Sequence, residues 1–203
     1  MQRPSCGAIL SIDLYSAEEP SVNSSSQLPS NASVSRDLYV DWTEYHALIE
    51  RLALKVHRSG WAFDQIICIA RGGLRVGDTL SRIFKRPLAI LSTQSYTGEA
   101  GMTQGHLKVA EHITMTTAAL GRWVLLVDDL VDSGTTLEAV RQHLHDAYPG
   151  IAEIRTAVLW YKGCSHFAPD YHVVHLPESP WIHQPFEPYD TLPVDVLMAR
   201  VRD

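Results

Sequence analysis

The chain has 203 residues, of which 45% are hydrophobic and 20% charged, a profile that fits one globular domain with its own core. Lys and Arg number 17 against 23 Asp and Glu, a net charge of −6, which argues against a non-specific nucleic-acid binder with a basic surface. No apolar stretch approaches the ~20 residues of a helical membrane span. Cys6, Cys68 and Cys164 are odd in number and widely spaced, so neither a disulfide framework nor a zinc ribbon is expected.

Residues 1–36 are rich in Ser, Pro and Asn and are expected to form a flexible tail. CGAIL near the start is too short for a secretory apolar region, so the expected compartment is the cytoplasm. The folded domain is expected over 37–203. DWTEYHALIERLALKVHRSG at 41–60 reads as a helix, with Leu48, Ile49, Leu52 and Val56 on one face, Asp41 at its start and Gly60 as its stop. QIICIA at 65–70 reads as a strand buried on both faces. RGGL opens a second helix, whose inner face should carry Leu74, Leu80, Ile83 and Phe84. RPLAIL at 86–91 is a further short strand. Residues 92–121 show no clear periodicity and read as a long functional loop.

WVLLVDD at 123–129 is the most apolar strand. A helix follows over 133–148, and IRTAVLW at 154–160 and YHVVHL at 171–176 are further strands. This alternation of strands and helices predicts an α/β fold, a Rossmann-like parallel sheet covered by helices.

The chemistry concentrates in VLLVDDLVDSGTT at 124–136. Ligands of open α/β sheets bind beyond the carboxyl ends of strands, where Asp128 and Asp129 lie. Adjacent carboxylates repel each other unless hydroxyl donors or a divalent cation satisfy them. Asp132, Ser133, Gly134, Thr135 and Thr136 follow at the start of a helix, where backbone N–H groups attract phosphate. Diol acceptors, a further carboxylate and a phosphate cradle occur in the order of the groups of ribose 5-phosphate. A Walker B strand has a similar apolar-acidic pattern, but no Lys in the chain is followed by Ser or Thr, as the partner motif requires. Asp132-Ser133 also reads as a helix N-cap, which leaves Asp128 and Asp129 unexplained.

The segment resembles the 5-phosphoribosyl-1-pyrophosphate (PRPP) motif of type I phosphoribosyltransferases. ARGGL at 70–74 is similar to the pyrophosphate loop of the bacterial xanthine-guanine members. The resemblance gives Arg71 and Gly72 to pyrophosphate and a cis peptide to Ala70–Arg71. Ser95 and Tyr96 resemble the start of the catalytic loop, and HLKVAEH at 106–112 resembles the segment leading out of it. Lys162 stands where the family reads the 6-oxo group of a purine; a Lys only donates hydrogen bonds, which disfavours adenine. SPWIHQPFE at 179–187 resembles the purine-binding hood, with Trp181 and Ile182 against the base. His183 departs from the familiar bacterial sequence, which has an acid there, so the choice among guanine, xanthine and hypoxanthine stays open.

The resemblance implies a core over about 38–165, a small C-terminal hood over about 166–190, and a homo-oligomer, dimer or tetramer. It implies transfer of a phosphoribosyl group from PRPP to a 6-oxopurine with Mg²⁺. Asp128 and Asp129 would hold the ribose diol, Asp129 would adjoin the metal, residues 133–136 would hold the 5′-phosphate, and Asp132 would be the general base. Two alternatives remain at this point: a PRPP-sensing regulator of the same fold without catalysis, and a transferase for another base.

Overall fold

The computed structural model describes residues 37–95 and 107–201. The expected tail over 1–36 and Tyr96 of the expected catalytic loop lie outside the described residues. The elements run β1 Leu38–Tyr39, α1 Trp42–Arg58, β2 Gln65–Ala70, α2 Gly73–Phe84, β3 Leu88–Ser95 and β4 Leu107–Val109. They continue with β5 Trp123–Val127, β6 Leu130–Val131, α3 Thr135–Ala147, β7 Glu153–Lys162, β8 Tyr171–Leu176 and β9 Ile182–His183. A 3₁₀ turn Glu187–Asp190 and α4 Val194–Arg200 end the described chain.

The main sheet has the order β4-β3-β2-β5-β7-β6, with β8 also paired to β7. All its pairings are parallel except β3 with β4. This is the parallel α/β sheet that the strand–helix alternation predicts. The central strands are buried on both faces, which explains why they read as continuous apolar runs rather than alternating ones. Ile67, Leu126 and Val158 pack with Leu137, Val140 and Leu144 of α3. On the other face Ile66, Leu125 and Leu159 pack with Leu48, Leu52 and Val56 of α1 and Val76 and Leu80 of α2.

Three expectations need correction. The inner face of α2 is Gly73, Val76, Gly77 and Leu80, whereas Ile83 is exposed and Leu74 only half-buried. A Cβ at Gly77 would come 2.5 Å from Cys68 Cβ, so glycine lets the helix settle onto β2 along that side. Second, the stretch without periodicity is not all loop. β3 extends to Ser95, β4 pairs with it antiparallel, and Thr114 bridges Ile90. Three residues of β4 are too few to show an alternating pattern. Third, the strand expected over 154–160 runs on as β7 to Lys162, its last residue.

A second, two-stranded parallel sheet joins β1 to β9, Leu38 opposite Ile182 and Tyr39 opposite His183. The entry to α1 thus carries one edge of the segment 179–187. Asp41 caps α1, accepting from the Glu44 N–H at 2.8 Å, as its position before the apolar stripe predicts. Among the described residues no helix is long and apolar enough to cross a membrane.

Candidate active site

The site forms where β2, β5 and β7 end. β5 delivers Asp128 and Asp129 into the space between the starts of α2 and α3, and both are buried, 9% and 8% exposed. Their own backbone holds them: Asp129 N–H donates to Asp128 Oδ1 at 2.9 Å, and Leu130 N–H donates to Asp129 Oδ1 at 2.9 Å. Burial, then the neighbouring Asp129 charge, pushes the Asp128 carboxyl well above the usual carboxylate range. The start of α2 presses against this corner. A Cβ at Gly73 would lie 2.5 Å from Val127 O, and one at Gly72 would collide with the Asp129 carboxylate. Two glycines in succession are therefore a steric requirement of the strand end.

Gln184 completes the setting of Asp129, its amide donating to Asp129 Oδ2. The other end of that amide, Oε1, is buried with no partner among the described residues, as is the hydroxyl of Tyr45. Sequence reasoning assigned Gln184 no role of its own. Its only signal was membership of the run SPWIHQPFE.

Asp128, Asp132, Ser133, Gly134 and Thr136 line a cavity of about 130 Å³ at the start of α3. Gly134 has φ +94° and lies so close to Ser165 and Phe167 that a Cβ would meet Phe167 Cβ at 2.5 Å. Only glycine suits both the dihedral angle and the space. The helix N-cap is Gly134, without a side-chain cap bond, which corrects the expected Asp132-Ser133 cap. Ser133 Oγ instead donates to Thr135 Oγ1 at 3.1 Å and accepts from Thr135 N–H at 3.3 Å. Thr135 is exposed beside the cavity.

A second cavity of about 200 Å³ is lined by Asp132, Lys162, Trp181, Ile182, Gln184 and Phe186, among others. Lys162 is only 6% exposed, and its ammonium lies 3.3 Å from Asp132 Oδ1. A buried ammonium needs such a partner. Trp181 is 59% exposed, whereas Ile182 is buried. The Trp181 indole donates to Glu187 Oε1 at 2.7 Å, and the other Glu187 oxygen is 2.9 Å from His183 Nδ1. His183 Nε2 lies 3.3 Å from Asp37, and its ring stacks on Tyr39 with centroids 4.3 Å apart. Burial opposes charge on His183, but its bonds to Asp37 and Glu187 outweigh that and raise its pKa. The Trp181 carbonyl accepts from Leu38 N–H at 2.8 Å, and the His183 carbonyl from Val40 N–H at 3.0 Å. The Trp181 carbonyl is thus committed to β1, and the alternation along β9 leaves that of Ile182 on the opposite edge.

A third cavity, about 430 Å³, lies at the start of α2 and includes Arg71, Gly72, Arg75, Phe186 and Asp190. The Ala70–Arg71 peptide is cis. Arg71 is exposed, with Nη2 3.4 Å from Asp190 Oδ1. Ser95 ends β3. Arg71, Gly72, Asp128, Asp132, Ser133, Gly134, Thr136, Lys162, Trp181 and Ile182 thus line three adjoining cavities, whereas Thr135 is exposed beside one and Asp129 is bonded to Leu130 and Gln184. Arg75, Phe186, Gln184 and Asp190 join them without having been singled out.

The family described as "Phosphoribosyl transferase domain" matches residues 39–191. A xanthine-guanine phosphoribosyltransferase of Gluconobacter oxydans is 33% identical over 158 residues, covering 77% of this chain and 86% of that protein. The purine phosphoribosyltransferase of Pyrococcus horikoshii superposes with a TM-score of 0.61 at 30% identity, covering 74% of this chain and 93% of that one. The xanthine-guanine-hypoxanthine phosphoribosyltransferase of Helicobacter pylori shares the fold, with a TM-score of 0.64 at 24% identity over 81% of this chain and 99% of that one. The chain therefore belongs to the phosphoribosyltransferase family and, within it, to the purine phosphoribosyltransferases, enzymes of the type I fold.

Proposed function

We propose that this enzyme transfers the 5-phosphoribosyl group of PRPP to a 6-oxopurine. The observation that carries the reading is the position of Asp132, which lines both the cavity at the start of α3 and the one beneath Trp181. A ribose phosphate in the first and a purine in the second would meet beside its carboxylate. A purine ring nitrogen would attack C1 of the ribose. The bond from C1 to the pyrophosphate oxygen would break, its electron pair leaving with pyrophosphate. The proton on the purine imidazole ring would pass to Asp132 as general base.

The remaining roles follow from what each group can donate or accept. Asp128 and Asp129 accept from the ribose hydroxyls, and Ser133, Gly134, Thr135 and Thr136 cradle the 5′-phosphate. Arg71 and Gly72 receive pyrophosphate, the guanidinium offsetting charge that develops on the leaving group. Lys162 donates to the 6-oxo group, and Trp181 and Ile182 cover the purine. Ser95 and Tyr96 begin the loop that closes over the reacting centre.

Among the described residues no cluster of three or more His, Cys, Asp or Glu side chains is arranged to hold an ion. The buried carboxylate pair nonetheless suits a hard cation that keeps substrate oxygens in its shell. Asp129, with Asp128 beside it, would hold Mg²⁺, which would supply neutralisation of the negative charge of pyrophosphate. On family resemblance we also infer a core over about 38–165, a hood over about 166–190, a cytoplasmic location and a homo-oligomer.

The test is PRPP and Mg²⁺ incubated with guanine, xanthine, hypoxanthine, adenine and uracil, following nucleotide formation. Product from the 6-oxopurines alone is expected. No product from any base would end the catalytic reading, and product from uracil would overturn the purine assignment.

A further inference from the structure

The cavity at the start of α2 contains two arginines in different settings. Arg71 has a carboxylate, Asp190, at 3.4 Å. Arg75, one helical turn on, has no ion pair and no hydrogen bond from its guanidinium among the described residues. Its guanidinium instead lies over the ring of Phe186, 4.0 Å from the centroid, with the Trp42 ring at 5.8 Å. An aromatic face orients a guanidinium through the ring quadrupole without neutralising it. Stacking also leaves the in-plane N–H donors open, and a guanidinium has five of them in a planar fork. Arg75 is thus a charge held in place, with its donors uncommitted among the described residues, at the wall of a cavity of about 430 Å³.

The ligand that suits this arrangement carries more negative charge than one guanidinium offsets and has several oxygens in reach of two forks. Pyrophosphate has both properties. We propose that Arg75 is a second pyrophosphate-binding residue, set in position by Phe186 of the hood. This rests on reading the cavity as the pyrophosphate site of PRPP. Phe186 also lines the cavity beneath Trp181, so one ring forms a wall of the base cavity and the platform for the leaving-group cation. A surface arginine that merely packs its methylenes on Phe186 would show the same stack, but its loss would not touch pyrophosphate.

The experiment is titration of the full-length protein with inorganic pyrophosphate in the presence of Mg²⁺, alongside steady-state kinetics. Arg75→Gln should weaken pyrophosphate binding about 10- to 100-fold, the range for losing charge-assisted hydrogen bonds, and raise the KM for PRPP in parallel. The KM for purine should stay within about twofold, as for a neutral surface change. Arg75→Lys should recover part of the binding, because it keeps the charge and loses the fork. Arg82→Gln on the same helix removes an equal charge from an arginine paired with Asp78, and should stay within about twofold of wild type. The inference is overturned if Arg75→Gln and Arg75→Lys both bind pyrophosphate like wild type, or if Arg82→Gln loses as much as Arg75→Gln. A wild-type protein that fails to bind pyrophosphate at all would instead contradict the reading of the cavity.

Discussion

At the end of β5 the acidic groups are held by immediate neighbours in the chain. Asp128 accepts from Asp129 N–H, Asp129 from Leu130 N–H, and Ser133 from Thr135 N–H. In the segment 179–187 local bonds from Trp181 and His183 to Glu187 are joined by contacts from far along the chain. His183 reaches Asp37 across 146 residues, and Gln184 reaches Asp129 across 55. The strand end is set largely by the local backbone and the segment 179–187 more by tertiary assembly, with the Gln184–Asp129 bond joining the two. The half we assign to the sugar phosphate is therefore expected to be rigid and costly to alter, and the half we assign to the purine to be adjustable by single side chains.

Asp132 sits on the seam between the halves, and its replacement should have the largest effect. Asp132→Asn should lower kcat about 10²- to 10⁴-fold if it is the general base, measured at saturating PRPP and purine. A near-normal kcat would remove that role. Lys162→Met should come next. Loss of one charge-assisted bond to the 6-oxo group corresponds to about 10- to 100-fold in kcat/KM for hypoxanthine. The KM for PRPP should change far less, which would separate the purine half from the other.

Asp128→Asn tests the cost of the local half. The folded-state pKa of Asp128 is raised, so its protonated form suits the fold better. Its contribution to stability is present below the unfolded value and lost as pH rises through the folded one. At neutral pH the amide should raise the melting temperature of the ligand-free protein, by roughly 2–4 °C for each kcal/mol gained. The gain should shrink as pH falls. A lower melting temperature with activity intact would mean that the carboxylate is structural.

The smallest expected effect is at His183. The pKa of His183 is raised, so the stabilisation is complete below the unfolded value near ~6.5 and fades as pH rises through the folded one. His183→Gln should therefore lower the melting temperature more at about pH 5.5 than at about pH 9. An equal shift at both pH values would show that its charge plays no part.

The same contrast explains what could be read in advance. WVLLVDD and the helix after it were legible because a buried parallel strand, its acidic end and Gly134 are all consequences of adjacent residues. Ile83 was misassigned because the pattern on α2 gave no weight to Gly73 and Gly77, whose missing side chains set which face lies against β2. Gln184, Arg75 and Phe186 carried no individual signal. Their roles come from the close approach of α1, α2 and β9, which no local pattern records. The resemblance singled out Lys162 and Trp181, and their pairing with Asp132 and Glu187 became visible only with the fold assembled.

The most direct measurement is the ratio of kcat/KM for hypoxanthine over adenine in the wild-type enzyme with PRPP and Mg²⁺. A buried Lys162 that can only donate should reject a 6-amino group, and a site built on such a hydrogen bond discriminates by about 10⁴-fold or more. A ratio of that size is the expected result. Adenine used within about tenfold of hypoxanthine would contradict the account.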